Sequence, residues 1–264
     1  MRFAIAVIAL STLAAGASAQ DLGGPVRSTQ GAGSAIGFTL RGGVGTAPEY
    51  PGSDSYEAAP ALGGSLNYLR LGGFSFGDPD PLYRPTGFGA MGSLRYVPER
   101  DASDHDELEG LDDVDTTLEL GGGLRYATPD WRVFGVVRYG AFGHEAFVGE
   151  LGADLYARPT DRITLRAGPR ALFGDGDYVE SYFGVSGSEA VASGGNLSAY
   201  DPDGGLVSAG VEFSAGYQIN ETWGVDAIVT YEKLQGDAAD SPVTENEDQF
   251  RASIGVTRRF TLGF

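Results

Sequence analysis

The chain has 264 residues, no cysteine, and 36 Asp and Glu against 18 Lys and Arg, which gives a formal net charge of −18. The charge excludes a nucleic-acid-binding surface, which needs basic side chains. The lack of cysteine excludes disulfides and thiolate chemistry. The length suits one large β domain or two small ones.

The N-terminal segment has the pattern of a secretory signal peptide. Met1 and Arg2 form a short basic region, and residues 3–15 are almost wholly apolar. The stretch Ala17-Ser18-Ala19 then gives a cleavage site with small residues at its first and third positions. We therefore predict a signal peptide over residues 1–19 that is removed on export.

The rest of the chain is predicted to be a flexible leader and one domain. Residues 20–33 are rich in glycine and form the leader, and residues 34–264 form the domain, since no linker divides them. No later apolar run approaches the roughly 20 residues that a membrane helix needs. An α-helical membrane protein is thereby excluded.

The domain is predicted to consist of β-strands, because apolar and polar residues alternate with a period of two. The count is about twelve, or ten if the third and ninth segments are not full strands. In chain order, the segments are 34–45, 58–69, 72–77, 86–97, 115–127, 131–142, 145–157, 162–173, 178–185, 205–217, 222–234 and 249–264.

One late strand shows the pattern that separates a membrane barrel from other β folds. In residues 222–234, Trp223 and Tyr231 bracket an apolar stretch, as aromatic girdles bracket the hydrocarbon band of a bilayer. The apolar parity includes Val229, and the opposite parity includes Thr230. We predict that Val229 faces lipid and that Thr230 faces a polar lumen.

The final strand ends on an alternating apolar pattern. Phe260, Leu262 and Phe264 share one parity, and the sequence stops on the last of them. This ending resembles the C-terminal strand signal by which outer-membrane barrels are recognised for insertion. We therefore take these three residues as the insertion signal.

Charged residues lie opposite the apolar faces of most strands. A soluble sandwich would leave them in water, whereas a barrel would pair them across its lumen, and composition alone leaves these readings even. The signal peptide, the aromatic brackets and Phe264 favour the barrel. We predict an all-β, closed antiparallel transmembrane β-barrel in the outer membrane, in contact with outer-membrane lipid.

Three further segments carry a family resemblance. Residues 45–54 read GTAPEYPGSD, residues 181–186 read SYFGVS and are followed by Ala190 and Tyr200, and residues 231–243 read YEKLQGDAADSPV. In this order they resemble the MipA/OmpV family of outer-membrane proteins, the MltA-interacting proteins. The resemblance runs over nearly the whole mature chain.

The resemblance implies an outer-membrane barrel with a scaffolding role. In the namesake of the family, the protein links a periplasmic lytic transglycosylase to a peptidoglycan synthase, so these are the expected partners. A narrow porin-like channel for small solutes or ions is the alternative, and a barrel enzyme and a surface adhesin rank below it. The family supplies no catalytic residue to carry over.

The sequence indicates no catalytic, cofactor-binding or metal-binding site. Residues 87–92 match G-x-G-x-x-G, but strand alternation continues where a dinucleotide site needs a helix. His105 and His144 are the only histidines, and neither has the spacing of a metal motif. His144 is interpreted as a turn residue rather than as the base of a hydrolase.

The segment 98–114 is strongly acidic and is the candidate docking loop. It does not match a calcium-binding EF-hand loop. A solvated, mobile loop is the simplest interpretation, and loose divalent-cation binding or partner docking are the alternatives. Counting strands from a periplasmic N-terminus puts this loop on the periplasmic side. The docking candidates are Asp104, Asp106, Glu107, Glu109, Asp112 and Asp113.

Overall fold

A computed structural model describes residues 33–77 and 86–264, and the eleven strands in these residues form one antiparallel sheet. The predicted signal peptide and most of the leader lie outside the described residues. The strands are β1 (Ala35–Pro48), β2 (Tyr56–Leu71), β3 (Phe74–Gly77), β4 (Gly87–Val97), β5 (Thr117–Ala127), β6 (Trp131–Ala141), β7 (Phe147–Thr160), β8 (Ile163–Gly174), β9 (Gly205–Gln218), β10 (Trp223–Leu234) and β11 (Asp248–Gly263).

The sheet is an up-and-down meander that curls around a lumen. Strands adjacent in sequence pair from β1 to β3 and from β4 to β11, and β1 also pairs with β11, from Ala35 opposite Gly263 to Thr46 opposite Ala252. One cavity is lined jointly by β2 and β4, and another by β1 and β5. Strands far apart in the hydrogen-bonded order therefore enclose the same space, as in a barrel.

Burial along the strands is inverted relative to a soluble protein. In β6, Arg132 and Arg138 are buried, while Val133 and Val137 are 45% and 57% exposed. A soluble sandwich would bury the apolar parity and leave the charges in water. The outward apolar face belongs against lipid, and the inward charges line a polar lumen. The predicted transmembrane barrel is thus confirmed.

Aromatic residues form a band near each end of the outward face. Near one end, the Tyr126 ring lies 5.6 Å from the Trp131 ring. Near the other end, the Tyr139 and Phe147 rings lie 4.9 Å apart. Such bands mark the two membrane–water interfaces. The apolar stretch between them fixes how deep the barrel sits in the bilayer.

Three helices lie in the connections, and one of them replaces a predicted strand. They are α1 (Gly176–Phe183), α2 (Gly187–Ala192) and α3 (Gly236–Asp240). The prediction of a strand over 178–185 is wrong, because the Asp175 carboxylate accepts a hydrogen bond from the Tyr178 backbone N–H and caps α1. Among the described residues, no helix is long and apolar enough to cross a membrane.

The long connections that the structure describes lie at one end of the barrel. Segments 49–55, 98–116, 175–204 and 235–247 are at this end, which we call the cap end. Two-to-four-residue turns and both Gly33 and Phe264 are at the other end, which we call the terminus end. Outer-membrane barrels keep short turns in the periplasm and long loops outside. This rule assigns the cap end to the outside.

The expectation that 98–114 lies on the periplasmic side is therefore wrong. Strand counting treated β3 and β4 as antiparallel neighbours. The antiparallel pairing of the strands instead shows that β3 and β4 run in the same direction as β1. β1 and β4 therefore both end at the cap. A contact between loops agrees with this, since the Tyr50 hydroxyl donates a hydrogen bond of 3.0 Å to Glu107.

The assignment of faces predicts unequal effects of a buried charge in β10. Val229→Lys should lower the free energy of unfolding by about 2–4 kcal/mol, because it places an ammonium near the bilayer midplane. Thr230→Lys, the matched control, should cost much less because that side chain borders the polar lumen. Unfolding by guanidinium in lipid vesicles measures both, and equal losses would contradict the register.

Candidate functional site

The centre of the lumen holds a network of buried charges. We call this set the lumen network, and it links the six consecutive strands from β4 to β9. Its members are Arg95, Glu119, Arg132, Arg138, Glu150, Asp154, Arg166, Arg170 and Glu212. These residues sit on the inward parity of the strands, as the sequence pattern predicts.

Glu119 is the first centre of the network. Its carboxylate is fully buried and receives Arg95 at 2.5 Å and Arg138 at 2.8 Å. Arg138 also donates to Glu150 at 2.9 Å and to the Ser93 hydroxyl at 3.1 Å. A carboxylate out of water is stable only when paired and hydrogen-bonded. Glu119 therefore ties β4, β5, β6 and β7 together.

Asp154 is the second centre. Its buried carboxylate receives Arg132 at 2.6 Å and Arg170 at 2.7 Å, with Arg166 at 3.4 Å. Arg166 and Arg170 both also pair with Glu212 on β9. The charges on β6, β7, β8 and β9 therefore neutralise one another inside the barrel rather than facing open solvent.

A separate ion pair closes the opposite wall. Arg41 on β1 lies 2.7 Å from Asp226 on β10 and donates a second hydrogen bond to the Ser253 hydroxyl at 3.0 Å. Arg41 thereby bridges β11, which lies between those two strands. Two groups of charges, the lumen network and this pair, thus occupy opposite walls of one lumen.

His144 lies in the turn between β6 and β7, as predicted, and its side chain joins the lumen network. Its Nδ1 accepts a hydrogen bond from the Ala146 N–H at 3.1 Å, which leaves the proton of the neutral ring on Nε2, 3.3 Å from Glu119. The ring also packs edge-on against Tyr178 and Tyr182. The Ser181 hydroxyl on α1 donates a hydrogen bond to the Asp177 carbonyl.

The loops at the cap end pack into a compact layer, which we call the cap. One hydrophobic cluster, built around α1, includes Tyr178, Tyr182 and Phe183. A second cluster joins the loops above it. The members of the second cluster are Tyr50, Ala102, Leu108, Leu111, Val185, Leu197 and Val243, with Ala190 and Tyr200 at its edge.

The three segments that carry the family resemblance meet in the cap. Tyr50 comes from the first, Val185 follows from the second, and Val243 from the third, and all are buried in the same cluster. The Ser241 hydroxyl donates a 2.6 Å hydrogen bond to the Phe183 carbonyl and joins the third segment to the second. The motifs are therefore structural determinants of the cap.

The acidic segment is a folded part of the cap rather than a solvated, mobile loop. It forms two 3-10 turns, Ala102–Asp104 and Asp106–Leu108, and Leu108 is completely buried. Gly110 has a φ of +95° and lies so close to the Ser193 backbone that a β-carbon there would clash at 2.3 Å. The segment is thus fixed against the end of α2.

Five of the six docking candidates lie in two places on the cap. Asp104, Asp106 and Glu109 are exposed on the outer surface of the 3-10 turns. Asp112 and Asp113 line a groove of about 590 Å³ on another side of the cap. The groove is acidic, with Asp115, Glu180, Glu189 and Asp201 among its other lining residues.

Glu107 differs from the other five because it contacts a buried tyrosine. Burial, followed by the hydrogen bond to Glu107 and the charges of Glu107 and Glu245, raises the pKa of Tyr50 far above its usual value. Burial and the nearby charges of Glu107 and Asp54 also raise the pKa of Glu245. Negative charge is therefore crowded around Tyr50, and only its neutral form fits there.

A capping box fixes α2 against the acidic segment. The Ser186 hydroxyl accepts from the Glu189 N–H, and the Glu189 carboxylate accepts from the Ser186 N–H. The same carboxylate accepts from the Asp112 N–H at 2.9 Å. Although partial burial opposes ionisation, these N–H donors lower the pKa of Glu189. The carboxylate thus serves as an acceptor that holds two loops.

Three cavities follow one another along the wall formed by β1, β10 and β11. Beneath the cap lies one of about 130 Å³, with Tyr178 and Arg251 among its lining residues. A small one of about 60 Å³ follows, which shares Arg251 with the first and includes Arg41. The third, of about 390 Å³, opens at the terminus end and includes Asp226.

The residues predicted as an insertion signal lie on the outward face of β11 near the terminus end. The Phe260 ring stacks on Phe38 of β1 with centroids 5.1 Å apart. Leu262 and Phe264 are 54% and 71% exposed. Their apolar surface is directed to the membrane side, and their role in insertion stays a prediction.

A match to a family model covers most of the chain. The model is described as MltA-interacting protein MipA, and it matches residues 40–260. The chain belongs to the MipA family. The resemblance seen in the three sequence motifs is thereby confirmed, and the protein is an outer-membrane β-barrel.

Curated relatives of this MipA-family chain are also outer-membrane proteins. YiaT of Escherichia coli (strain K12), named as an outer membrane protein, is 28% identical over 169 residues, which cover 61% of this chain and 65% of YiaT. The chain thus spans slightly less than two thirds of that relative. Outer membrane protein Omp26La of Vibrio anguillarum is 32% identical over 84 residues, 32% of this chain and 31% of that protein.

A solved outer-membrane structure is also similar. An outer membrane channel of Pseudomonas putida F1 gives a TM-score of 0.40 at 12% identity, over 88% of this chain and 97% of that chain.

Among the described residues, no group of three or more His, Cys, Asp or Glu side chains is arranged to hold a metal ion.

The lumen network predicts that removing one central charge lowers the stability of the barrel. Glu119→Gln should lower the free energy of unfolding by about 3–5 kcal/mol, because it takes the carboxylate from Arg95 and leaves the buried Arg138 with one carboxylate fewer. Glu232→Gln is the matched control, since its partner Arg251 is 40% exposed and such pairs contribute about 0–1 kcal/mol. Guanidinium unfolding in vesicles measures both losses. A small, equal effect of the two variants would contradict a tightly coupled network.

Proposed function

We propose that this MipA-family barrel is a narrow channel for small solutes or ions, closed in the state described. The single observation that carries the proposal is the row of three cavities along one wall of the lumen. A barrel whose interior served only for stability would be filled by side chains. Here the side chains leave a row of three cavities, which begins under the cap and opens at the terminus end.

The Arg41–Asp226 pair is the proposed inner constriction. Arg41 lines the small middle cavity, and Asp226 lines the large one, so the ion pair stands at the boundary between them. The side chains are 12% and 21% exposed, so water reaches the pair. A partly hydrated ion pair is held less firmly than a fully buried one and can separate at modest cost.

The cap is the proposed outer gate. α1 lies across the outer end of the lumen and contributes Tyr178 and Tyr182 to the cavity beneath the cap. The Tyr182 carbonyl accepts a hydrogen bond of 3.0 Å from the buried Arg100, which ties α1 to the acidic segment. A solute entering from outside would need α1 to move, so the gate opens through displacement of the loops rather than of the strands.

The channel proposal is tested by widening the inner constriction. The double variant Arg41→Ser and Asp226→Ser removes both charges at once, so no unpaired charge remains. It should raise the single-channel conductance of the barrel in a planar lipid bilayer, because the middle and large cavities then join. Tyr178→Ala should raise the frequency of opening by loosening the cap.

Arg258→Ser is the matched control for this experiment. Arg258 lies on the outward face, over the Trp223 and Phe260 rings, and removing it should leave conductance unchanged. If neither the parent barrel nor any variant conducts above the bare bilayer, the channel proposal is wrong. A rise in the Arg258→Ser variant equal to that of the double variant would also contradict it.

A scaffold that links the outer membrane to cell-wall enzymes is the second candidate, and the family description favours it. The description, MltA-interacting protein, names an association with another protein. A periplasmic partner such as a lytic transglycosylase or a peptidoglycan synthase would meet the terminus end. The acidic segment belongs to the opposite end, so we propose that its carboxylates serve cations or a partner outside. No catalytic role is proposed for either end.

The scaffold candidate predicts that partner binding depends on the terminus end. Arg158→Gln with Arg162→Gln should weaken the binding of a purified lytic transglycosylase to the immobilised barrel. Replacing Asp104, Asp106 and Glu107 by Asn and Gln in the cap should leave that binding unchanged. Biolayer interferometry measures both. Loss of binding in the cap variant alone, or no binding by the parent, would count against this surface.

A further inference from the structure

The large cavity at the terminus end, which we call the vestibule, has a chemical character opposite to that of the chain. Its volume is about 390 Å³, within the range of small-molecule sites. Four arginines line it, at positions 132, 158, 162 and 259, against Asp161 and Asp226. The chain as a whole has a net charge of −18. Basic residues are therefore concentrated in one concave place.

The positions of the lining charges bear on the contrast between the basic vestibule and the acidic chain. Asp226 is already paired with Arg41, and Asp161 lies exposed in the tight turn between β7 and β8. Arg132 is likewise paired, with Asp154, and the other three arginines still outnumber Asp161. A concave site with walls of low dielectric focuses the field of its charges on a solute. The vestibule consequently attracts anions.

Part of the basic lining is held in place before any ligand arrives. The Arg158 guanidinium stacks 4.6 Å from the Tyr156 ring centroid and donates a hydrogen bond to the Pro129 carbonyl. Arg132 is fixed by its hydrogen bond of 2.6 Å to Asp154. A fixed planar guanidinium recognises carboxylate or phosphate with little loss of conformational entropy.

The remaining lining consists largely of hydroxyl groups and aromatic rings. Thr39, Thr164 and Thr257 line the cavity from three different strands, and Tyr156 contributes a ring. Hydroxyls both donate and accept hydrogen bonds, and they match a ligand that is itself hydroxylated. An inorganic ion would use only the arginines. The size and the neutral lining together favour a larger, hydroxylated anion.

We propose that the vestibule binds small hydroxylated anions, namely sugar-like solutes that carry a carboxylate or a phosphate. The proposal goes beyond the channel, since binding at this site needs no passage through the lumen. Solutes reach the site from the terminus end, which the topology assigns to the periplasm. The arginines hold the anionic group, and the threonine hydroxyls contact the rest of the ligand.

Adjacent residues on β11 provide a sharp test. Arg259 lines the vestibule, whereas Arg258 lies outside over the Trp223 and Phe260 rings. The substitutions Arg259→Gln and Arg258→Gln make the same change of charge one residue apart. The full barrel, refolded in detergent, is titrated by calorimetry with glucuronate, glucose 6-phosphate and uncharged glucose. The two anions separate a carboxylate preference from a phosphate preference.

The parent barrel should bind at least one of the two anions. Its affinity for glucose should be lower by at least about tenfold, because glucose lacks the charge-assisted interaction with an arginine. Arg259→Gln should weaken anion binding by about tenfold, and Arg258→Gln by less than about twofold. Thr257→Val, which keeps every charge, should also weaken it. Retained heat-modifiability on gels shows that each variant is folded.

Three results would overturn the proposal. The first is that no probe binds the folded parent. The second is that glucose binds as tightly as the anions, which would make the arginines irrelevant. The third is that Arg258→Gln and Arg259→Gln weaken binding equally. That outcome would mean that the anions respond to the general charge of the rim rather than to the vestibule.

Discussion

The lipid-facing surface sets the condition that the rest of this barrel must satisfy. Each strand places its apolar parity outward, so every charge of the strands except a few near the membrane interfaces must go inward. Inside, a charge is stable only with a partner. Glu119 and Asp154 meet this need by each holding two or three arginines. Five arginines face four carboxylates, and Arg138, Arg166 and Arg170 each pair with more than one carboxylate, which makes the network continuous from β4 to β9.

The network also explains why the cap closes over one end. Ion pairs in the lumen lose strength as water enters, and an apolar layer over the cap end limits that access. α1 supplies this layer through Tyr178 and Tyr182, whose rings pack on the buried His144 beside Glu119. The three family motifs converge on the same layer. Among the described connections, those at the opposite end are short turns, and there the lumen widens into the vestibule.

The sequence predicts the parity of the strands well because a period of two leaves little choice of face. Val229 and Thr230 lie on the faces expected. It fails at 178–185, where Tyr178 and Tyr182 share the i, i+4 spacing of a helix and Asp175 has the chemistry of an N-cap, both signals that outweigh the local alternation. The partners of Glu119 were beyond prediction, because they depend on the register between strands distant in sequence.

Charge is also separated along the barrel axis, and this follows from where each end lies. The cap contains most of the carboxylates, including the acidic segment, and faces outward, where divalent cations can relieve their repulsion. The vestibule gathers arginines at the terminus end. Two ends of opposite sign give the lumen a field along its axis. In the proposed channel, an ion would meet attraction at one mouth and repulsion at the other. The separation thus distinguishes the paired charges that hold the barrel together from the unevenly distributed charges at its two ends.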